Sequence, residues 1–373
     1  MNVDELLDTA EIIVCCGSGG VGKTTTAAAL ALRAAERGRR TVVLTIDPAR
    51  RLAQSMGLTE LDNTPREVKG VDGSLDAMML DMKRTFDEIV LEHSEPEKAE
   101  QILANPFYQA LSSSFAGTQE YMAMEKLGQL KATGSYDLVV VDTPPTRSAL
   151  DFLDAPEHLS TFLDGRLVKV LLAPAKAGGR AYLKVFGVFT NAISRIIGAA
   201  FLQDVSQFIG AMETMFGGFR ERAQVTYDLL KDPATAFVVV ATPERDALRE
   251  ASYFVDRLRK EQMPLAGLVL NRVHRVVGTG LTSGRALSVA DGLEPTSLTA
   301  GVLRLHADRV ALVRREQHVT ERFTGAHPGV PVVEVTAQPG DVHDLEGLRR
   351  VGADLSAGGR STPERPRTAA PRT

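Results

Sequence analysis

The stretch that decides the fold spans residues 12–24 and reads Ile12-Ile13-Val14-Cys15-Cys16-Gly17-Ser18-Gly19-Gly20-Val21-Gly22-Lys23-Thr24. Its second half fits the pattern G-x-x-x-x-G-K-[ST] of a loop that binds nucleotide phosphates. The apolar run before it, with β-branched members, predicts a buried parallel strand at residues 12–16. The Ala- and Leu-rich segment after it predicts a helix over residues 25–36, ended by Gly38. Strand, glycine loop and helix thus follow in the order that phosphate binding requires.

Each residue type of this loop suits the binding of a triphosphate. Glycines let backbone N–H groups turn toward phosphate oxygens, and the N-terminus of the helix adds partial positive charge. We expect Lys23 to bridge the β- and γ-phosphates and the Thr24 hydroxyl to bind Mg²⁺. The predicted ATP-binding residues of this segment are Gly17, Ser18, Gly19, Gly20, Val21, Gly22, Lys23, Thr24 and Thr25. The alternative is a glycine-rich turn that matches the pattern without binding a nucleotide.

Composition places the chain among globular proteins. It has 373 residues, of which 44% are apolar and 24% charged, enough for one large α/β domain or two smaller ones. A net charge of −4 at pH 7 provides no basic field, so we expect no nucleic-acid partner. The only two cysteines, Cys15 and Cys16, are adjacent, which suits a reducing cytoplasm. The N-terminus does not resemble a signal peptide and no apolar run is long enough to span a membrane, so we expect a cytoplasmic protein.

Further strands alternate with helices along the chain. Apolar runs predict strands at residues 41–46, 76–81, 138–141, 236–241, 265–270 and 332–335. This alternation predicts an α/β fold, a doubly wound and mostly parallel sheet of the kind found in P-loop nucleotide triphosphatases. Helical patterns at residues 83–131, with breaks at Pro96 and at Asn105-Pro106, and at residues 150–232 predict an inserted helical subdomain.

The second half of the chain sets the predicted limits of the domain. Residues 275–300 are rich in Gly, Ser and Thr and predict a loop, whereas residues 303–322 predict a helix. We assign residues 1–355 to one P-loop ATPase domain. Residues 356–373, rich in Gly, Pro, Arg, Ser and Thr, predict a disordered tail.

Two apolar stripes within the predicted helical subdomain leave two interpretations open. Phe and Ile side chains recur at helical spacing within residues 186–200, and Phe and Met side chains do so within residues 208–219. They either pack as a core between helices or form an adaptable groove, because Met and Phe surfaces re-pack readily. The second interpretation predicts an apolar client helix as a partner.

Polar side chains close several of the predicted strands. Asp47 either positions a water that attacks the γ-phosphate or caps a helix that Pro48 begins. Asp142 matches the Walker B aspartate that holds the Mg²⁺ shell, and it equally fits a turn before prolines. Asn271 either reads the edge of a base or caps a turn. Because the carboxyl ends of parallel strands share one edge of a sheet, these residues and Glu244 favour a single nucleotide site.

Taken together, the motifs resemble the ArsA family, which includes arsenite-pump ATPases and the guided-entry ATPases that carry tail-anchored proteins. The resemblance extends from about residue 10 to 352 and belongs to the wider class of P-loop ATPases with a deviant Walker A motif. The segments that carry it are Gly17–Thr26, Thr45-Ile46-Asp47-Pro48-Ala49, Asp142-Thr143-Pro144-Pro145-Thr146 and Asn271.

The resemblance implies roles for particular residues, with ATP and Mg²⁺ as cofactors. Asp47 corresponds to the switch I aspartate that activates water, and it is the implied catalytic residue together with Lys23. Thr24 and Asp142 are the implied metal ligands, and residues 142–146 correspond to switch II. Asn271 is implied to contact adenine, and a loop containing Gln338 and Pro339 is implied to close over the base.

Three departures from the family pattern concern metals and partners. Ser18 stands where the deviant motif has a lysine that reaches the partner's nucleotide across a dimer. The C-x-x-C pair that binds zinc in the eukaryotic guided-entry ATPases is absent from this sequence, and Cys15 and Cys16 are too few and misplaced to bind arsenite. Because this lysine is missing, a heterodimer with a related subunit that keeps it is the alternative to a homodimer.

The predicted function is therefore ATP hydrolysis that drives a transport or membrane-protein-targeting partner. Loss of the γ-phosphate would relax the two switch segments, which lead into the helical regions. Two alternatives remain open: a partition or positioning ATPase, and a non-hydrolysing nucleotide-switch subunit of a heterodimer.

Overall fold

The computed structural model describes residues 1–47, 51–106, 108–109, 118–144, 221–222, 224–276 and 280–358 of the chain. Within them, eight strands form one sheet. The strands are β1 (Ile12–Cys16), β2 (Thr41–Thr45), β3 (Arg66–Glu67), β4 (Leu75–Met79), β5 (Leu138–Asp142), β6 (Thr235–Ala241), β7 (Leu265–Val273) and β8 (Val332–Thr336). Their order is β3-β4-β2-β5-β1-β6-β7-β8, and every pair is parallel except β3 with β4. The predicted doubly wound, mostly parallel sheet is confirmed.

Helices connect these strands. They are α1 (Val3–Thr9), α2 (Lys23–Glu36), α3 (Arg51–Ser55), α4 (Met82–His93), α5 (Pro96–Ala104), α6 (Thr118–Ala132), α7 (Arg245–Lys260), α8 (Ser283–Asp291), α9 (Leu298–Ala326) and α10 (Leu345–Gly358). None of the described helices is long and apolar enough to cross a membrane. Both α1 and β3 were absent from the sequence-based prediction, because a seven-residue helix and a two-residue strand are too short to show a period.

The centre of the sheet is fully buried, as the apolar runs predict. Every residue of β1, β2, β5 and β6 is buried. Strand β1 lies between β5 and β6, with β2 to β5 on one side of it and β6 to β8 on the other, so the direction in which strands are added reverses beside β1. In open parallel sheets ligands bind at such a switch point, beyond the carboxyl ends of the strands. The fold therefore places the ends of β1 and its neighbours where a nucleotide would bind.

The predicted loop at residues 275–300 is wrong, because α8 and the first turn of α9 lie within it. Thr282 accepts a hydrogen bond from the Arg285 N–H, and Ser297 accepts one from the Ala300 N–H. These hydroxyl residues, taken from composition as loop formers, are N-caps of two packed helices. The helix predicted at residues 303–322 accordingly begins earlier and ends later.

The predicted tail also begins too early, since α10 continues to Gly358. Ser356 is anchored there, and its hydroxyl donates to Asp4 Oδ1 at 2.7 Å. Residues 359–373 lie outside the described part of the chain.

The helical pattern at residues 83–131 is confirmed by α4, α5 and α6. Pro96 opens α5, and Asn105 follows its end, so both predicted breaks are present. Of the second helical region, residues 224–231 are helical. Both apolar stripes lie outside the described residues, so the helical subdomain and its groove remain predictions.

Candidate functional site

The loop between β1 and α2 follows a path that only glycine permits at its first residue. Gly17 has φ +151°, and a Cβ there would lie 2.2 Å from the carbonyl oxygen of Val240 in β6. Gly20 and Gly22 have φ +77° and +94°, and Gly22 is the N-cap of α2. This left-handed backbone strains residues that carry a Cβ. The glycines of the motif therefore have a conformational cause in this fold.

The Lys23 ammonium group forms a hydrogen bond inside the phosphate loop. Lys23 is buried, and its Nζ donates to the Ser18 carbonyl oxygen at 2.8 Å. Burial lowers the pKa of Lys23, while the nearby Asp142 carboxylate opposes that shift. A positive charge thus lies within the glycine loop, which suits a bound phosphate chain.

Asp142 is a buried carboxylate at the end of β5, opposite Cys15 of β1 in the sheet register. Its Oδ2 accepts hydrogen bonds from the Thr24 hydroxyl at 2.8 Å and the Thr45 hydroxyl at 3.0 Å. Its Oδ1 is buried without a hydrogen-bond partner among the described residues. Burial raises the pKa of Asp142 to about 6, against the opposing effects of the two hydroxyls and Lys23.

This arrangement fits a magnesium ion. Mg²⁺ takes oxygen ligands and is commonly held by one or two carboxylates together with water and substrate phosphates. The Thr24 hydroxyl and the unpartnered oxygen of Asp142 provide this chemistry beside the phosphate loop. Elsewhere in the described ranges, no group of three or more His, Cys, Asp or Glu side chains could hold a metal ion.

Asp47 follows β2 on the same edge of the sheet. Its backbone N–H donates to Thr45 Oγ1 at 3.2 Å, so one threonine connects Asp47 with Asp142. Asp47 also lines a cavity together with Lys23 and Thr24. Residues 48–50 lie outside the described part of the chain, so its alternative role as a helix cap stays untested.

Asn271 lies against the phosphate loop from the other side of β1. Its Nδ2 donates to the Val21 carbonyl oxygen at 2.8 Å, and its Oδ1 accepts from the Arg272 N–H at 2.9 Å. A Cβ at Gly22 would lie only 2.2 Å from this Nδ2. The amide therefore braces the loop, whereas its contact with adenine stays a prediction.

A cavity of about 1150 Å³ opens at this edge of the sheet. The predicted site residues in its wall are Gly20, Gly22, Lys23, Thr24, Thr25, Asp47, Asn271 and Gln338. The predicted residues outside its wall are Gly17, Ser18, Gly19, Val21, Asp142 and Pro339. Asp142 nevertheless belongs to the site through Thr24, while Pro339 has no described contact that places it there.

The structure adds residues that sequence patterns missed. Thr45 joins Asp47 to Asp142, and Arg51, Arg272 and His274 line the cavity. Thr45 ends a strand beside Asp47, a position that offered a weak signal. The others carried none, because only the meeting of distant segments brings them to the cavity.

Comparison with known proteins gives a family match. The family model ArsA_ATPase, described as anion-transporting ATPase, matches residues 10–275. The chain is 32% identical over 264 residues to ATPase ARSA2 of Chlamydomonas reinhardtii, covering 69% of this chain and 66% of that protein. It is 28% identical over 271 residues to ATPase ASNA1 homolog 1 of Paramecium tetraurelia, covering 71% and 75%. It is 29% identical over 259 residues to ATPase get3 of Schizosaccharomyces pombe, covering 69% and 71%.

Proposed function

We propose that this chain, which belongs to the ArsA family of anion-transporting ATPases and is an ATPase of that family, couples Mg-ATP hydrolysis to the action of a transport or membrane-protein-targeting partner. One observation carries the proposal: the Thr24 hydroxyl lies 2.8 Å from the buried Asp142 carboxylate, beside Lys23. The proposed magnesium ligand, the carboxylate that would hold the ion with it and the proposed phosphate-binding cation thus lie together.

The proposed reaction is in-line attack of water on the γ-phosphorus. A bond forms from the water oxygen to phosphorus, and the bond to the oxygen that bridges the β- and γ-phosphates breaks, which releases ADP and phosphate. Asp47 orients the water and accepts the proton that it loses, and Lys23 with the loop N–H groups stabilises charge on the transferred group. Thr24 and Asp142 would hold Mg²⁺, which would supply positive charge against the negative charge of the phosphates.

Loss of the γ-phosphate would release the segments that carry Asp47 and Asp142. A GTPase-like relaxation of such segments is a common route from hydrolysis to motion. In chain order they lead to α3 and to residues 145–220, where the predicted apolar groove lies. This order of segments along the chain supports a partner that responds to the nucleotide state through the helical region.

The role of Asp47 is tested by Asp47→Asn. We expect turnover of ATP to fall by at least about 100-fold, because an amide cannot accept a proton from the attacking water, while Mg-ATP binding persists. Asp341→Asn is the matched control, since it removes another carboxylate from the same cavity wall. Phosphate-release assays and calorimetry measure the two quantities. An Asp47→Asn protein that turns over ATP at the wild-type rate would refute the role.

A second candidate is a nucleotide-switch subunit of a heterodimer, which Ser18 favours. The family lysine that crosses to the partner's nucleotide is missing here, and the side chain of Ser18 has no charge that could replace it. We expect slow hydrolysis by the purified chain and faster hydrolysis after a lysine-bearing related subunit is added. Full hydrolysis by the chain alone, with no change when that subunit is added, would refute the heterodimer.

The client can be captured with the same Asp47→Asn variant held in ATP. A protein with an apolar helix should stay bound with ATP and be released by ADP. A cytoplasmic location is part of the proposal, and the buried free thiols of Cys15 and Cys16 support it. Cell fractionation tests that location.

A further inference from the structure

Two non-glycine residues of the described ranges have a left-handed backbone. Gln262 has φ +59° and Arg272 has φ +60°. Gln262 follows Glu261, the C-cap of α7, and its N–H donates to the Arg259 carbonyl oxygen at 3.1 Å. A left-handed residue is common at that place, just after a helix. Arg272 has no such explanation, because it lies within β7.

The strand is irregular where Arg272 stands. The pairing of β7 with β8 shifts register between Leu270 and Val273. Within this irregularity the Arg272 N–H donates to the Asn271 side chain instead of to a neighbouring strand. A strained backbone of this kind costs free energy and persists only where its surroundings enforce it, and such residues concentrate at functional sites.

Contacts on both sides hold the strained segment in place. On one side, Asn271 donates to the Val21 carbonyl oxygen of the phosphate loop at 2.8 Å. On the other, the His274 N–H donates to Glu316 Oε2 at 3.0 Å, and His274 Nδ1 lies 2.5 Å from Glu316 Oε1. Glu316 is a buried residue of α9. The segment between these contacts is therefore fixed from the phosphate loop and from a helix outside the cavity.

Arg272 is an exposed residue of the cavity wall. Among the described residues its side chain forms no hydrogen bond or ion pair. A guanidinium group offers five N–H donors that match phosphate oxygens. Packing alone would not require an exposed arginine in the wall of this cavity.

We propose that Arg272 is a nucleotide-binding cation that pairs with the phosphate chain of ATP. The left-handed backbone, enforced by Asn271 and by the His274–Glu316 pair, directs its side chain into the cavity before the nucleotide arrives. This inference rests on the proposed ATP-binding function and adds to it a second cation in the wall of the cavity that Lys23 and Asp47 also line.

The test compares Arg272→Gly with Gln262→Gly. Glycine tolerates the left-handed backbone, so neither variant should have a lower melting temperature than the wild type. Arg272→Gly should weaken Mg-ATP binding by at least about tenfold in calorimetry, as expected for the loss of a charge-assisted contact. Gln262→Gly, which relieves the same strain away from the cavity, should bind Mg-ATP as the wild type does.

The salt dependence of binding identifies the phosphate as the target. The affinity ratio between wild type and Arg272→Gly should shrink at high KCl, because salt screens an exposed charge pair. Equal affinities of these two proteins at low salt, or a ratio that salt leaves unchanged, would overturn the inference. A wild-type chain that takes up no Mg-ATP would overturn the proposed function as well, so the two failures are distinguishable.

Discussion

The buried carboxyl group of Asp142 makes the stability of the protein depend on pH. Two threonine hydroxyls bond one of its oxygens, yet burial still raises its pKa to about 6. A carboxyl group with a raised pKa in the folded state favours the protonated form. Its stabilising contribution is therefore complete below the unfolded-state pKa and is lost as the pH rises through about 6.

We predict that Asp142→Asn gains stability relative to the wild type as the pH rises from about 4 to 7. The asparagine has no charge to bury, so the gain should be on the order of 3 kcal/mol across this range. Thermal unfolding in the presence of a chelator measures it, since bound Mg²⁺ would favour the ionised wild type. A difference in stability that stays constant with pH would show that Asp142 is ionised throughout.

At Gly17, the energetic cost of placing a Cβ close to β6 can be separated from the cost of a positive φ. Both Gly17 and Gly38 have positive φ, but only at Gly17 would a Cβ meet a backbone oxygen, that of Val240. We predict that Gly38→Ala costs about 1–2 kcal/mol of unfolding free energy and that Gly17→Ala costs about 3–5 kcal/mol. Urea unfolding compares the two variants, and equal costs would contradict the role of the close approach.

Single residues of the site were predictable where a motif fixes their spacing. Lys23 and Thr24 follow from the loop pattern, and Asp142 from an acidic residue after a four-residue apolar run. The bond from Asn271 to Val21 joins a residue of β7 to a residue of the phosphate loop that is far from it in sequence. Local patterns carry no information about such a contact, so the bracing of the loop by an amide became visible only in the fold.

At the level of elements, the end of β7 couples the cavity to helix α9. His274 lines the cavity. Its backbone N–H and its ring Nδ1 both contact the carboxylate of Glu316, which is buried. Helix α9 packs on α8 and on α7, away from the phosphate loop. A shift of α9 would therefore reach the cavity wall through the buried side chain of Glu316.

We predict that Glu316→Ala weakens Mg-ATP binding by about fivefold or more, because the segment that carries Asn271 loses its outer support. Turnover at saturating ATP should change by less than about twofold, since Glu316 touches no reacting group. Glu316→Gln, which keeps an acceptor for the His274 N–H, should restore much of the affinity.

Phe323→Leu is the matched control for this variant. It lies on the same helix, is buried and packs against His327, away from the cavity. It should lower the melting temperature without changing the affinity for Mg-ATP. If both α9 variants weaken binding in proportion to their loss of stability, Glu316 has a structural role only.

Strands were easier to predict than the helices after β7. The central strands are buried on both faces, so their sequences are continuous apolar runs that need no periodic signal. In α8 and in the first turn of α9 the packed residues are small, such as Ala286, Ala290 and Ala300. Small packed residues and hydroxyl caps give the composition of a loop, which hid α8 and the beginning of α9.

At the scale of the whole molecule, the parallel sheet brings the site together. The loop after β1, Asp47 after β2, Asp142 at the end of β5 and Asn271 in β7 meet at one edge because these strands point the same way. Alternation of strands and helices predicted this edge, and the order of strands in the sheet decides which ends are neighbours. The cavity wall beyond β7 and β8 depends on that order and was only partly anticipated, through Gln338.

The most direct measurement is calorimetric titration of Mg-ATP into the wild type and Lys23→Ala, with Lys131→Ala as the control. Lys131 pairs with Glu11 away from the cavity, so its loss should leave binding unchanged. We predict saturable heat for the wild type and for Lys131→Ala, and a loss of at least about 100-fold in affinity for Lys23→Ala. No heat with the wild type, or equal binding by the wild type and Lys23→Ala, would contradict the claim that this loop binds ATP.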